Sequence, residues 1–199
     1  MKYASFSFLM MTFALAFLST QPAEAQQTQK PRPGIVGQVA PKWSVSSWHQ
    51  LPADKQSLDV SDFRGKVTYL YFFQSWCPGC HKAGFPTLQE LTKKYKDDSD
   101  VAFAAIQTTF EGHHINTADK LKELATRYKL KIPFGQSEGH RGTPEIMREY
   151  RTGGTPWIVI IDKQGKVRFN GYHITPESAA KGIEQLKLET VKTATVEVK

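Results

Sequence analysis

The chain has 199 residues, with 26 Lys and Arg against 19 Asp and Glu, for a net charge of +7. Its lysines are interspersed with acids, as in "LTKKYKDD" and "KLKELATRYK", so the surplus reads as solvated helix faces. A nucleic-acid surface would need a clustered basic patch, and no such partner is expected. Two cysteines, separated by only two residues, exclude a disulfide-stapled secreted scaffold.

Residues 1–25 have the layout of a secretory signal peptide: Lys2, an apolar run from Ala4 to Leu18, and Ala23-Glu24-Ala25 before the cut. The apolar run is shorter than the roughly 20 residues a spanning helix needs, so export with cleavage is expected, and a permanent N-terminal anchor is the alternative. In a Gram-negative source the destination is the periplasm. Membrane contact is then limited to the signal peptide or to an electron donor. Residues 26–40, polar and broken by prolines, read as a flexible leader. One domain follows over residues 41–190, and residues 191–199 read as a loose tail.

Within the domain, Trp43 to Leu51 alternates apolar and polar residues, which predicts a strand. "VTYLYFF", Val67 to Phe73, is β-branched and aromatic on both faces, as in a central strand buried on both sides. After the cysteines, Phe85, Leu88, Leu91 and Tyr95 recur at helical spacing, with Pro86 expected to kink that helix. Val101 to Gln107 predicts a second buried strand, and Thr117 to Leu130 a helix. "KIPFGQSEGHRG" reads as irregular loop. A short helix follows, opened by Thr143 and Pro144, then a buried strand Thr155 to Asp162. The turn "KQG" leads into an antiparallel strand, and a closing helix starts near Thr175. The alternation predicts an α/β fold, a central mixed β-sheet flanked by helices in three layers.

"QSWCPGCHKAGFP" carries the chemistry. Cys77 and Cys80 form a C-x-x-C that could cycle between dithiol and disulfide. With His81 the motif is also the C-x-x-C-H of a covalently attached c-type haem. A disulfide across two residues constrains little of the unfolded chain, so the pair is better explained by chemistry than by stability. A haem site wants a helical shell and a distal ligand. The apolar strands and the packing position expected for Met147 favour the dithiol.

Three stretches resemble the thioredoxin superfamily, and within it the exported TlpA/ResA-type thiol-disulfide oxidoreductases. They are "DFRGKVTYLYFFQSWCPGC", "GGTPWIVIID" and "IDKQGKVRFNGY". The resemblance implies a thioredoxin-like fold and disulfide exchange with cysteine-containing exported proteins, recharged by a thiol electron donor. It implies no metal and no cofactor beyond the redox-active Cys77–Cys80 disulfide. Cys77, at a helix N-terminus that favours thiolate, is the expected nucleophile, and Cys80 the resolving thiol. Pro78 and Gly79 complete the motif, Trp76 is expected to cover one side of the pair, and a cis Thr155-Pro156 bond to face it.

The sequence also departs from that pattern. Tyr71 stands where thioredoxins carry a buried aspartate, and Ala83 where TlpA/ResA-type proteins carry a glutamate. Pro86 falls one residue late, which implies an extra residue at the helix start. Glu111 is a candidate to take the Cys80 proton, with a solvated loop residue as the alternative. His81 reads as an exposed side chain on the first helical turn, or as a positive charge that makes the disulfide more oxidising. His113 and His114 read as polar surface. A thioredoxin-fold module that holds copper or a partner through the thiols is the alternative function.

Overall fold

The computed structural model describes residues 34–139 and 142–189. The signal-peptide and tail assignments lie outside these residues. The elements run β1 Ser47–His49, β2 Val67–Phe73, α1 Phe85–Lys94, β3 Val101–Thr109, α2 Asp119–Arg127, β4 Phe134–Glu138, α3 Glu145–Glu149, β5 Trp157–Ile161, β6 Val167–Gly171 and α4 Pro176–Leu188. A 3₁₀ turn at Val60–Phe63 precedes β2, and a π turn at Cys80–Gly84 precedes α1.

The six strands form one mixed sheet in the order β1-β4-β3-β2-β5-β6. β2 lies in its middle, parallel to β3 and antiparallel to β5, and every one of its residues is buried. Successive side chains of a strand point to opposite faces, so this one strand feeds two cores. Tyr69, Tyr71 and Phe73 pack with Phe85, Leu88, Leu91, Leu121, Leu124 and Ile183 from α1, α2 and α4. Leu70 and Phe72 pack on the other side with Trp43, Ile146, Tyr150 and Trp157. The α/β three-layer expectation holds, and Met147 is a buried packing residue as expected.

Three expectations need correction. The stretch "KIPFGQSEGHRG" contains a regular strand, β4, parallel to β3. Its polar residues hid it: Gln136 is fully buried because its amide nitrogen donates to Thr109 Oγ1 at 2.8 Å and its oxygen accepts from Gln107 Nε2 at 2.5 Å. Gly135 in the same strand leaves room for Trp48; a Cβ there would lie 3.0 Å from Trp48 Cζ3. The predicted strand Trp43 to Leu51 shrinks to the three residues of β1 at the sheet edge.

The leader assignment fails for residues 34–40. Ile35 and Ala40 are buried in the second core, Gly37 N–H donates to Val167 O, and Val39 bridges to Lys166. Pro86 falls inside the helical run that is continuous from Pro78 to Lys94, at the second residue of α1. The irregularity lies earlier, in the π turn Cys80–Gly84, which takes up the extra residue that the late proline implied. α4 opens as predicted, with Thr175 Oγ1 accepting from Ser178 N–H and Pro176 following it.

Candidate active site

β2 ends at Phe73, and the chain turns through Gln74 to Trp76 before helical backbone begins at Pro78. Cys77 therefore stands just ahead of the first helical turn, and Pro78 takes a position that tolerates a missing N–H. The two cysteines are both free thiols and are placed differently. Cys77 is 8% exposed and Cys80 is fully enclosed. The Cys80 backbone N–H points at Cys77 Sγ from 3.4 Å, and Cys77 Sγ lies 3.6 Å from the Thr155 carbonyl oxygen. Burial pushes the Cys80 thiol up to about 12, against smaller lowering effects from Tyr71 and the Gln74 backbone.

The Thr155-Pro156 peptide bond is cis, as expected. Pro156 lies close over the motif: a Cβ added at Gly79 would be 3.1 Å from Pro156 Cδ and 3.9 Å from Cys77 Sγ. Gly79 thus permits the approach of the β5 loop to the thiols. Trp76 is 43% exposed, with its indole nitrogen against Gly112 on the loop after β3. Gly112 has a positive φ of 58°, which suits glycine at that turn.

His81 is neither exposed nor free. Its Nε2 lies 2.6 Å from the Ser75 carbonyl oxygen, its Nδ1 lies 2.6 Å from the Tyr128 hydroxyl, and the ring is half-buried. The ring stacks on Tyr128, which stacks on Phe85 at a centroid distance of 4.3 Å. With both nitrogens engaged, the imidazole is not presented as an axial ligand. Glu111 is exposed on its loop, in line with the solvated alternative, and its backbone carbonyl accepts from Asn116 Nδ2 at 3.0 Å. His113 and His114 are exposed on the same loop. Among the described residues, no three His, Cys, Asp or Glu side chains gather as a metal set.

Asn116 is a site residue that the sequence did not reveal. It is buried, and its Oδ1 accepts from Ser75 N–H at 2.7 Å and from Ser75 Oγ at 2.9 Å. Its own carbonyl accepts from Gln136 Nε2 at 3.0 Å, which ties the loop to β4. The polar strand and the cysteine loop are thus one hydrogen-bonded unit. An asparagine in the polar stretch "EGHHIN" carries no local signal of this, because its partners are 41 positions upstream and 20 downstream.

The redoxin family profile matches residues 35–186, nearly the whole of the described domain. The chain belongs to the redoxin family. Redoxin relatives include the thiol-disulfide oxidoreductase ResA of Bacillus thuringiensis subsp. konkukian, 30% identical over 132 residues. That match covers 66% of this chain and 66% of the relative, so the chain spans about two thirds of its length. Among solved structures, a thioredoxin-like superfamily protein aligns with a TM-score of 0.70 at 30% identity, covering 77% of this chain and 98% of that one. A thiol-disulfide isomerase from Corynebacterium glutamicum aligns with a TM-score of 0.64 at 28% identity, covering 76% and 98%. The α/β thioredoxin-like fold and the TlpA/ResA-type resemblance stand together.

Proposed function

We propose that this redoxin is a thiol-disulfide oxidoreductase that exchanges disulfides with cysteine-containing proteins through Cys77 and Cys80. The observation that carries the reading is the asymmetry of the pair. Cys77 lies nearer solvent at the start of a helix with an N–H on its sulfur, whereas Cys80 is enclosed behind it. That is the arrangement of a nucleophile backed by a resolving thiol. No cofactor other than their disulfide is required.

The surroundings fit a polypeptide partner. Trp76, Ile115 and Tyr172 are 43%, 40% and 53% exposed. Trp76 precedes Cys77 in the chain, the Ile115 carbonyl accepts from Ser75 Oγ, and the Tyr172 hydroxyl donates to Gly153 O, three residues before Pro156. Exposed aromatic and aliphatic side chains around a reactive thiol offer contact area to an unfolded, cysteine-bearing segment.

We further propose export, with residues 1–25 removed as a signal peptide. Among the described residues, no helix is long and apolar enough to cross a membrane. N-terminal sequencing of protein from the native host should return Gln26; Met1 would overturn the cleavage. The activity is tested with metal-free protein, an excess of dithiothreitol and insulin as the disulfide substrate. Catalytic turnover that disappears in Cys77→Ser supports exchange. Absence of turnover together with one thiol-bound copper per chain would replace it with a metal-binding module. The reduction potential of the couple then gives the direction of electron flow in the cell.

A further inference from the structure

Tyr71 sits directly beneath the cysteine motif. It is fully buried on β2, between Phe73 at 5.8 Å and Phe85 at 5.3 Å, ring to ring. Its hydroxyl makes no well-formed hydrogen bond, an unusual state for a buried phenol. The hydroxyl lies against the π turn that begins at the fully enclosed Cys80 and ends at Gly84, and it favours the ionised form of the Cys80 thiol. The chain makes room for it at Gly84, the last residue of the π turn, where an added Cβ would lie 2.1 Å from the Tyr71 oxygen. Gly84 has ordinary right-handed helical angles, φ −62° and ψ −54°, so backbone conformation does not demand glycine there. The demand is for space, and the space is filled by the tyrosine hydroxyl.

The geometry points to Tyr71 as the group that carries the Cys80 thiolate through disulfide resolution, by donating its hydroxyl hydrogen to Cys80 Sγ from a pocket that Gly84 and the π turn leave open. This rests on the exchange reading above and deepens it. The groups acting on the Cys80 thiol, among the described residues, are the Tyr71 hydroxyl, the Gln74 backbone and Cys77; none is a carboxylate. The other titratable groups facing the pair are Tyr69 on the same strand and Tyr128 after α2, with His81 next in the chain.

The role of a phenol here differs from that of a carboxylate. Burial holds the Tyr71 proton more tightly than in an ordinary tyrosine, so Tyr71 cannot act as the base. It keeps its proton and offers it as a hydrogen bond, which stabilises a neighbouring thiolate over a thiol. In resolution, Cys80 loses its proton and its sulfur attacks Cys77 Sγ of the mixed disulfide. The Cys77–Cys80 bond forms, and the bond from Cys77 to the substrate sulfur breaks. The substrate leaves as a thiolate and takes up one proton. The two cysteines are oxidised by two electrons, and the substrate disulfide is reduced.

Stopped-flow reaction of the reduced protein with 5,5′-dithiobis(2-nitrobenzoate) separates the steps, because Cys77 attack and Cys80 resolution each release one coloured thiolate. Tyr71→Phe, which removes only an oxygen without a conventional partner, should slow the second release about tenfold more than the first. It should also move the second release's pH profile to higher pH. Gly84→Ala, which drives the same hydroxyl away from Cys80, should reproduce the effect and decides the matter if Tyr71→Phe does not fold. Folded variants with a wild-type second phase overturn the Tyr71 assignment alone. A wild-type protein with no second phase overturns the exchange reading itself.

Discussion

His81 and Tyr128, 47 positions apart, meet through a 2.6 Å contact between Nδ1 and the phenolic hydroxyl. The other nitrogen faces the Ser75 carbonyl, which can only accept, so Nε2 carries a hydrogen. In the neutral imidazole Nδ1 then accepts the Tyr128 O–H. The histidine that completes C-x-x-C-H is a strut between the cysteine loop and the end of α2.

A strut is a matter of stability, which changes what His81→Ala should do. An exposed side chain could be removed without effect on folding. Here the substitution leaves the Ser75 carbonyl and the Tyr128 hydroxyl unpaired, at a cost of about 1–3 kcal/mol. Tyr128→Phe removes one of the two bonds and should cost less, about 1 kcal/mol. Urea unfolding of the reduced proteins measures both, and a wild-type midpoint for His81→Ala would return the residue to the surface role read from sequence.

The enclosed Cys80 should shape the pH dependence of the reduction potential. Each proton taken up with the two electrons lowers the potential by about 30 mV per pH unit. With Cys80 raised to about 12 by burial, its proton accompanies reduction throughout the alkaline range. The slope should therefore stay at about 30 mV per unit or steeper and should not flatten to zero below about pH 12. Equilibration with thiol buffers between pH 6 and 11 gives the curve. A flat region beginning near pH 9 would mean that Cys80 ionises like an ordinary solvated thiol.

Asn116→Ala tests the link between the polar strand and the cysteine loop. It strips the acceptor from Ser75 N–H and Ser75 Oγ together, two residues before Cys77. Leaving a part-buried N–H unpaired costs about 1–3 kcal/mol, and the loop that positions Cys77 loses its anchor. Stability and the rate of Cys77 alkylation should both fall, whereas Asn116→Asp, which keeps the accepting oxygen, should retain most of the alkylation rate. Equal losses in the two variants would count against an anchoring role.

These residues mark where sequence reading succeeds. β2, β3 and β5 were legible because strands buried on both faces are mostly apolar, and the cysteine motif was legible because its chemistry is local. β4 was not, since Gln136 and Ser137 are buried through partners on other elements. Gly84 gave no signal either: its reason is a phenol thirteen positions upstream on the neighbouring strand. His81 was misplaced at the surface because an (i, i+1) position beside a cysteine says nothing about a tyrosine on α2's far end. Local pattern reports period and motif, whereas long-range polar pairing has to be seen.

The roles of the two thiols are the most direct test of the site. If Cys77 attacks, its sulfur becomes joined to the substrate, and Cys80 resolves that bond from beneath. Cys80→Ser should then accumulate long-lived mixed disulfides with its partners, separable on non-reducing gels. Cys77→Ser should trap few, because the remaining sulfur is fully enclosed and burial keeps it protonated at neutral pH. The serine hydroxyl is close in size to the thiol, so neither change opens a large cavity around Phe73 and Phe85. Partners held by Cys80→Ser, identified by mass spectrometry of the captured peptides, would name the substrates that exchange at this site. Trapping by Cys77→Ser and not by Cys80→Ser would reverse the assignment of nucleophile and resolver.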